Sequence, residues 1–173
     1  MNAHLDNSVI HACQNGDKAA YAGLVERHYK GVFALCLGML GNVHDAEDAA
    51  QEAMLKGFLR IRKLKKHKQF EWWILRIAKN HCIDFLRKQK RIRASGVKES
   101  RLTDHQDSDH DELEQAIRCL PQELRVPLTM FYFDDKNAKT IADKLNISHS
   151  GTCQRIREAR RKLHELLTER TKE

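Results

Sequence analysis

The sequence predicts an all-α fold of two small helical domains joined by an acidic linker. Three observations carry this. The 173 residues include only two prolines and eight glycines, too few of the turn-formers that a β-sandwich needs. Apolar residues recur at three- and four-residue spacing along several segments. Past residue 93 the composition switches from strongly basic to strongly acidic. The domains are expected over residues 8–93 and 113–170, with the linker at 94–112.

In chain order, Ser8 is placed to cap a short helix ending at Cys13, and Asn15-Gly16-Asp17 ends it and caps the next. That helix carries an apolar stripe of Leu24, Val25, Val32, Phe33, Cys36, Leu37 and Leu40. Gly41-Asn42 breaks it, and Asn42 caps a third helix whose inner face is Ala46, Ala49, Ala50, Ala53, Met54, Phe58 and Ile61. The outer side of this helix holds Asp45, Glu47, Asp48 and Glu52, with no lysine or arginine before Lys56. Acids in a first turn suit the helix dipole, so part of this cluster has a purely local cause.

The basic charge is concentrated next. From Arg60 to Arg93 there are thirteen Lys/Arg and two acids, a net charge of +11 against +7 for the whole chain. Charge held in one stretch is the footprint of a nucleic-acid site rather than of a generally basic protein. Lys63, Lys65, Lys66 and Lys68 lie in a loop before a long helix, Phe70 to Arg93. Its core face is read as Phe70, Trp73, Ile74, Ile77, Ala78 and Phe85. Another stripe carries Trp72, Arg76, Asn80 and Arg87, residue types that stack on a base, hold a phosphate or reach a base edge.

After the acidic stretch Asp104 to Glu114, the helix is expected to continue from Leu113 to Leu120, with Pro121 opening the next and Pro127 interrupting it. A helix from Ala138 to Leu145, a left-handed turn at Asn146 and a helix capped by Ser148 make a helix-turn-helix. The second helix exposes His149, Ser150, Cys153, Gln154, Arg155, Arg157, Arg160 and Arg161. Its first residues are placed for base edges and its later arginines for phosphates.

The pattern Phe70-x-x-Trp73-x-x-Arg76-Ile77-Ala78-x-Asn80-x-x-x-Asp84-x-x-Arg87 resembles the promoter-melting helix of bacterial RNA polymerase sigma factors. It is most similar to the extracytoplasmic-function (ECF) group. Asp45-Ala46-Glu47-Asp48-x-x-Gln51-Glu52 matches the segment with which that family grips the clamp of core polymerase. Ile147-Ser148, Arg155-Ile156 and Ala159-Arg160 match its final helix-turn-helix. The match runs from about Tyr21 to Leu167 in one order. It implies a sigma region 2 bundle and a sigma region 4 helix-turn-helix. The protein would then recruit core polymerase and help melt promoter DNA. Asp45, Glu47, Asp48, Gln51, Glu52 and Leu55 would bind polymerase. Lys63, Lys65, Lys66, Lys68, Trp72, Arg76, Asn80 and Arg87 would serve the −10 element. Ser148, His149, Ser150, Gln154, Arg155, Arg157 and Arg160 would read the −35 element. The family also implies an anti-sigma factor as inhibitor. Gly151, Thr152 and Cys153 stand where the family more often has Thr-Val-Lys.

The competing reading is a conventional helix-turn-helix regulator with an N-terminal dimerisation domain. It explains the C-terminal third but not the acidic helix followed by a basic one. No phosphate loop, Ser/His/Asp arrangement or dense ligand cluster is present, so neither catalysis, a cofactor nor a metal is expected. The five cysteines are scattered, and His149 and Cys153 offer only two ligands. The N-terminus lacks a charged-then-apolar leader, and no apolar run approaches the ~20 residues of a membrane span. A cytoplasmic protein without membrane insertion is expected.

Overall fold

The computed structural model describes residues 2–65, 70–95, 109–134 and 136–170, and every regular element among them is helical. The N-terminal half holds α1 (Asn2–Gln14), α2 (Ala20–Leu40), α3 (Val43–Arg60), a 3-10 turn (Ile61–Lys63) and α4 (Phe70–Ala94). The C-terminal half holds α5 (Asp109–Cys119), α6 (Gln122–Phe133), α7 (Ala138–Leu145) and α8 (His149–Arg170).

The local signals act as their chemistry requires. Asp17 Oδ1 accepts from Ala20 N at 3.1 Å ahead of α2. Gly41 takes φ +72° at the C-cap of α2, and Asn42 Oδ1 accepts from Asp45 N at 2.8 Å to cap α3. Asn137 Oδ1 accepts from Thr140 N at 2.9 Å to cap α7. Asn146 then takes φ 55° and ψ 48°, and Ser148 Oγ accepts from Gly151 N at 3.0 Å at the head of α8.

Several expectations are corrected. The first helix begins at Asn2, so Ser8 lies inside it. Pro121 is the cap of α6 rather than its first residue. Pro127 is buried inside α6 without ending it. The carbonyl that its missing N–H leaves free belongs to exposed Glu123, which water can reach. Helix α5 starts at Asp109, inside the stretch assigned to the linker, because its run of acids favours a helix N-terminus. The rest of that linker, 96–108, lies outside the described residues.

The largest difference is that the halves are docked. Helix α2 packs against α1, α3 and α4 on one side and against α6 on the other. Its second face is made of Gly31, Ala34, Leu35 and Gly38, all buried. A Cβ on Gly38 would lie 2.6 Å from Val126 Cα, so only glycine lets the two backbones come this close. Val126 and Met130 of α6 join the core of the first half, whereas Leu124 and Leu128 pack with Ile156 and Ala159 of α8.

Polar groups seal the contact. Thr129 Oγ1 donates to Ala34 O at 2.8 Å. The buried Arg125 guanidinium donates to Gly38 O (2.7 Å) and Met39 O (3.1 Å) of α2. It also donates to Arg118 O (2.9 Å) and Leu120 O (3.3 Å) at the end of α5. It thus satisfies carbonyls that two helix ends leave over, at the negative end of each dipole.

Candidate nucleic-acid interface

Three faces carry the residues singled out in the sequence. On α3 the alanine face seats the helix, and Gly57 tightens the fit. A Cβ there would meet Ile74 Cδ1 at 2.5 Å and the Tyr21 hydroxyl at 2.7 Å. That hydroxyl donates to Met54 O at 2.8 Å. The outward side forms one wall of a groove of ≈ 700 Å³ with Asp45, Asp48, Gln51, Glu52 and Leu55. The opposite wall comes from α4 and had been missed: His81, Phe85, Lys88, Gln89 and Ile92. Phe85 therefore belongs to this groove and not to the core. Its signal was present in the sequence, since Phe85 and Ile92 lie one heptad apart beyond the last buried residue of α4, Cys82. Glu47 does not line this groove. Its charge acts on Tyr29 of α2, whose hydroxyl pKa is raised by burial first and by Glu47 second.

An ionic chain crosses this region. Lys56 Nζ lies 3.3 Å from Glu52 Oε1 and 2.9 Å from His81 Nδ1. An ammonium only donates, so Nδ1 accepts and the imidazole is neutral. Burial, and then the Lys56 charge, hold the His81 pKa below its usual value.

On α4, Trp72, Arg76 and Asn80 are exposed on one side at four-residue steps, with Trp72 at 46%. Phe70 and Ile74 are buried, Trp73 and Ile77 half-buried, and Leu75 and Cys82 complete the core. Cys82 meets Cys36 of α2 in the fully buried layer, and this contact with burial pushes the Cys36 thiol far up. Arg87 is exposed, 3.7 Å from Asp84. Lys63 and Lys65 are exposed at the head of the loop, whereas Lys66 and Lys68 lie outside the described residues. The turn before this loop is pinned from α1, since Gln14 Nε2 donates to Ile61 O and Leu64 O, both at 3.0 Å.

In the helix-turn-helix, His149, Ser150, Gln154 and Arg157 are exposed on α8. Ser148 is also exposed, but its hydroxyl is engaged in the cap. His149 Nε2 lies 3.6 Å from Cys153 Sγ. Arg160 sits over the rings of Phe131 and Tyr132, 5.2 and 5.3 Å from their centroids, which fixes its guanidinium by cation–π attraction. Arg155 points elsewhere. It lines a second groove of ≈ 1080 Å³ between the halves, together with Asn146 and Ile147. Trp72, Arg76 and Asn80 of α4 line the same groove. Arg155 therefore faces the α4 stripe, while His149, Ser150, Gln154 and Arg157 do not line this groove.

Residues 24–92 match the Sigma-70 region 2 family and residues 110–163 match Sigma-70, region 4. The chain is 31% identical over 178 residues to the ECF RNA polymerase sigma factor SigW of Bacillus subtilis, covering 91% of this chain and 94% of that protein. The chain is an ECF sigma factor. It is also 25% identical to the RNA polymerase sigma-H factor of Pseudomonas aeruginosa, over 94% of this chain and 93% of that one.

Two solved structures share the fold. The sigma factor RpoE, crystallised with the anti-sigma factor NepR from Bartonella quintana, has a TM-score of 0.64 and 17% identity, over 86% of this chain and 96% of that one. CnrH, solved with the cytosolic domain of CnrY, has a TM-score of 0.63 and 20% identity, over 94% and 97%. This sigma factor therefore acts with core RNA polymerase in transcription initiation, and the dimerising-regulator reading is not favoured. Its family is one of regulators rather than enzymes. Among the described residues no helix is long and apolar enough to cross a membrane.

Proposed function

We propose that this sigma factor divides its work among three faces. The α3 side of the first groove, with Asp48, Glu52 and Leu55 at its centre, docks on core polymerase. The α4 stripe of Trp72, Arg76 and Asn80, with the loop lysines, captures unpaired bases of the −10 element. The exposed start of α8 reads the −35 element, with His149, Ser150, Gln154 and Arg157 toward DNA. The domain limits belong to the same proposal: 8–93 for the first, and 113–170 for the second with its start moved back to Asp109, where α5 begins.

The observation that carries it is the separation of an acidic groove from an aromatic, basic stripe on opposite flanks of α4. Acids suit a basic protein partner and repel DNA, while the stripe has groups that stack on bases and hold phosphates. Melting then needs no covalent step. Bases held in the open form shift the equilibrium toward melted DNA.

The sigma factor RpoE, solved with the anti-sigma factor NepR, supports a protein inhibitor for this chain as well, and action on polymerase supports a cytoplasmic site. Run-off transcription with core polymerase, followed by sequencing of the RNA 5′ ends, tests the function. Specific starts that depend on the added chain are expected, and their absence would defeat it. Affinity capture of the tagged chain from its own host, with mass spectrometry, tests for the inhibitor.

A further inference from the structure

The second groove carries more chemistry than its candidate DNA-reading residues use. It measures ≈ 1080 Å³ and most of its wall is apolar, with Met39 of α2, Leu75 of α4, Val126 of α6 and Ile147 before α8. Small-molecule pockets of about 300–1,000 Å³ have walls of this kind and a few convergent polar groups. Trp72, 46% exposed, adds an aromatic face to the same wall.

The charge on this wall is mostly of one sign. Its lining includes Arg76, Lys79, Lys144 and Arg155 against a single acid, Glu123. Lys144 is already neutralised. Its side chain is only 3% exposed and lies 2.7 Å from Glu71 Oε1 on α4 and 2.6 Å from Asp134 Oδ2 at the end of α6. The side chains of Arg76, Lys79 and Arg155 have no hydrogen-bond or ion-pair partner among the described residues. Other cations of α4 and α8 do, since Arg87 lies 3.7 Å from Asp84, Arg161 2.6 Å from Glu165 and Lys162 3.6 Å from Glu158. Charge of one sign over a low-dielectric wall focuses the field and concentrates ions of the opposite sign. Three unpaired cations beside an apolar floor fit a ligand with both an anionic head and an apolar body.

We propose that this groove binds a free amphipathic organic anion, its apolar body on Met39, Leu75, Val126 and Ile147 and its carboxylate, sulfonate or phosphate held by Arg76, Lys79 and Arg155. The site is concave and lies between helices, so it takes a single molecule from solution and not a bilayer surface. An occupant covers Trp72 and Arg76 and so competes with unpaired bases for the α4 stripe. That consequence rests on the reading of α4 given above, whereas the binding does not.

Fatty carboxylates added to the full chain test the binding directly. Octanoate, decanoate and dodecanoate, kept monomeric, are titrated by calorimetry and by tryptophan fluorescence. One saturable site is expected, tighter by about fourfold for each methylene buried. Dodecylammonium, with the same body and the opposite charge, should bind about tenfold more weakly than dodecanoate. Lys79→Gln and Arg155→Gln should each weaken dodecanoate about two- to fivefold, with circular dichroism unchanged. Lys18→Gln, outside the groove, should not weaken it. The proposal is overturned if affinity ignores chain length, if dodecylammonium matches dodecanoate, or if neither groove substitution weakens binding. Phosphatidylglycerol vesicles that bind the chain when monomeric dodecanoate does not would overturn it too. If dodecanoate binds as expected but fails to displace a single-stranded −10 oligonucleotide, the α4 reading fails and the anion site stands.

Discussion

Neighbouring tryptophans on α4 separate by exposure. Trp72 is 46% exposed beside Arg76 and Asn80, whereas Trp73 is half-buried with its ring centroid 5.9 Å from that of Phe70. Trp72→Ala should leave thermal stability and polymerase binding intact. It should reduce strand opening about tenfold, the value of one stacked base at ~1–3 kcal/mol, read by permanganate reactivity of unpaired thymines. A pre-melted template should restore it. Phe70→Ala, at a site 1% exposed, should instead destabilise the first domain by about 3–5 kcal/mol in denaturant melts. Gly57→Ala should also lower stability, by ~1–3 kcal/mol, because Ile74 and the hydrogen-bonded Tyr21 hydroxyl occupy the space. The two faces of α4 were legible because helical periodicity separates them. Gly57 was not, since a glycine's value there lies in a neighbour 17 residues away, which no local pattern reveals.

Helix α3 and the turn between α7 and α8 show what whole elements contribute. Asp48 and Glu52 line the first groove without holding the fold together, as their partners His44 and Lys56 are on the same helix. Asp48→Arg or Glu52→Arg should weaken competition for core polymerase while leaving circular dichroism unchanged. The turn depends on Asn146 at φ 55°. Asn146→Gly should be tolerated. Asn146→Val should cost about 1–2 kcal/mol of stability and displace α8, read as a lower melting temperature and weaker duplex binding. Caps and turns of this kind were readable to the residue at Asn42, Asn146 and Ser148, because each acts within three or four positions. The start of α1 was not, since Ser8 has the chemistry of a cap but falls within a helix that starts earlier.

Across the whole molecule, the docking of the halves was illegible. The α2 stripe of Gly31, Ala34, Leu35 and Gly38 reads as more of an already apolar helix, and Arg125 reads as one more surface charge. Only the fold brings Arg125 to carbonyls 86 and 87 residues back. The docking should also depend on pH. Burial acts to raise the Glu71 pKa, but the hydrogen bond and charge of Lys144, with His28 and Lys136 behind them, outweigh it and hold it below the usual value. Asp134 shares the same ammonium. A depressed carboxyl pKa stabilises the docked halves above the ordinary value of about 4.3, and that part is lost as pH falls through the lower value. In scattering titrations, Glu71→Gln should therefore be less compact than wild type at neutral pH, and the difference should vanish in acid.

Arg125 has a further consequence during synthesis. The N-terminal domain leaves the ribosome first, and domains fold in the order in which they emerge. The first domain is complete only when α4 ends at Ala94, and the guanidinium that closes over Gly38 O follows 31 residues after that, roughly 2–6 s at about 5–20 residues per second. For that interval the nascent chain carries a finished first domain whose second α2 face, Gly31 to Gly38, has no cover. Crowded polysomes bring such faces from neighbouring chains together, and slow translation of residues 96–125 would prolong the exposure. Faster elongation through that stretch should raise the soluble yield of this protein.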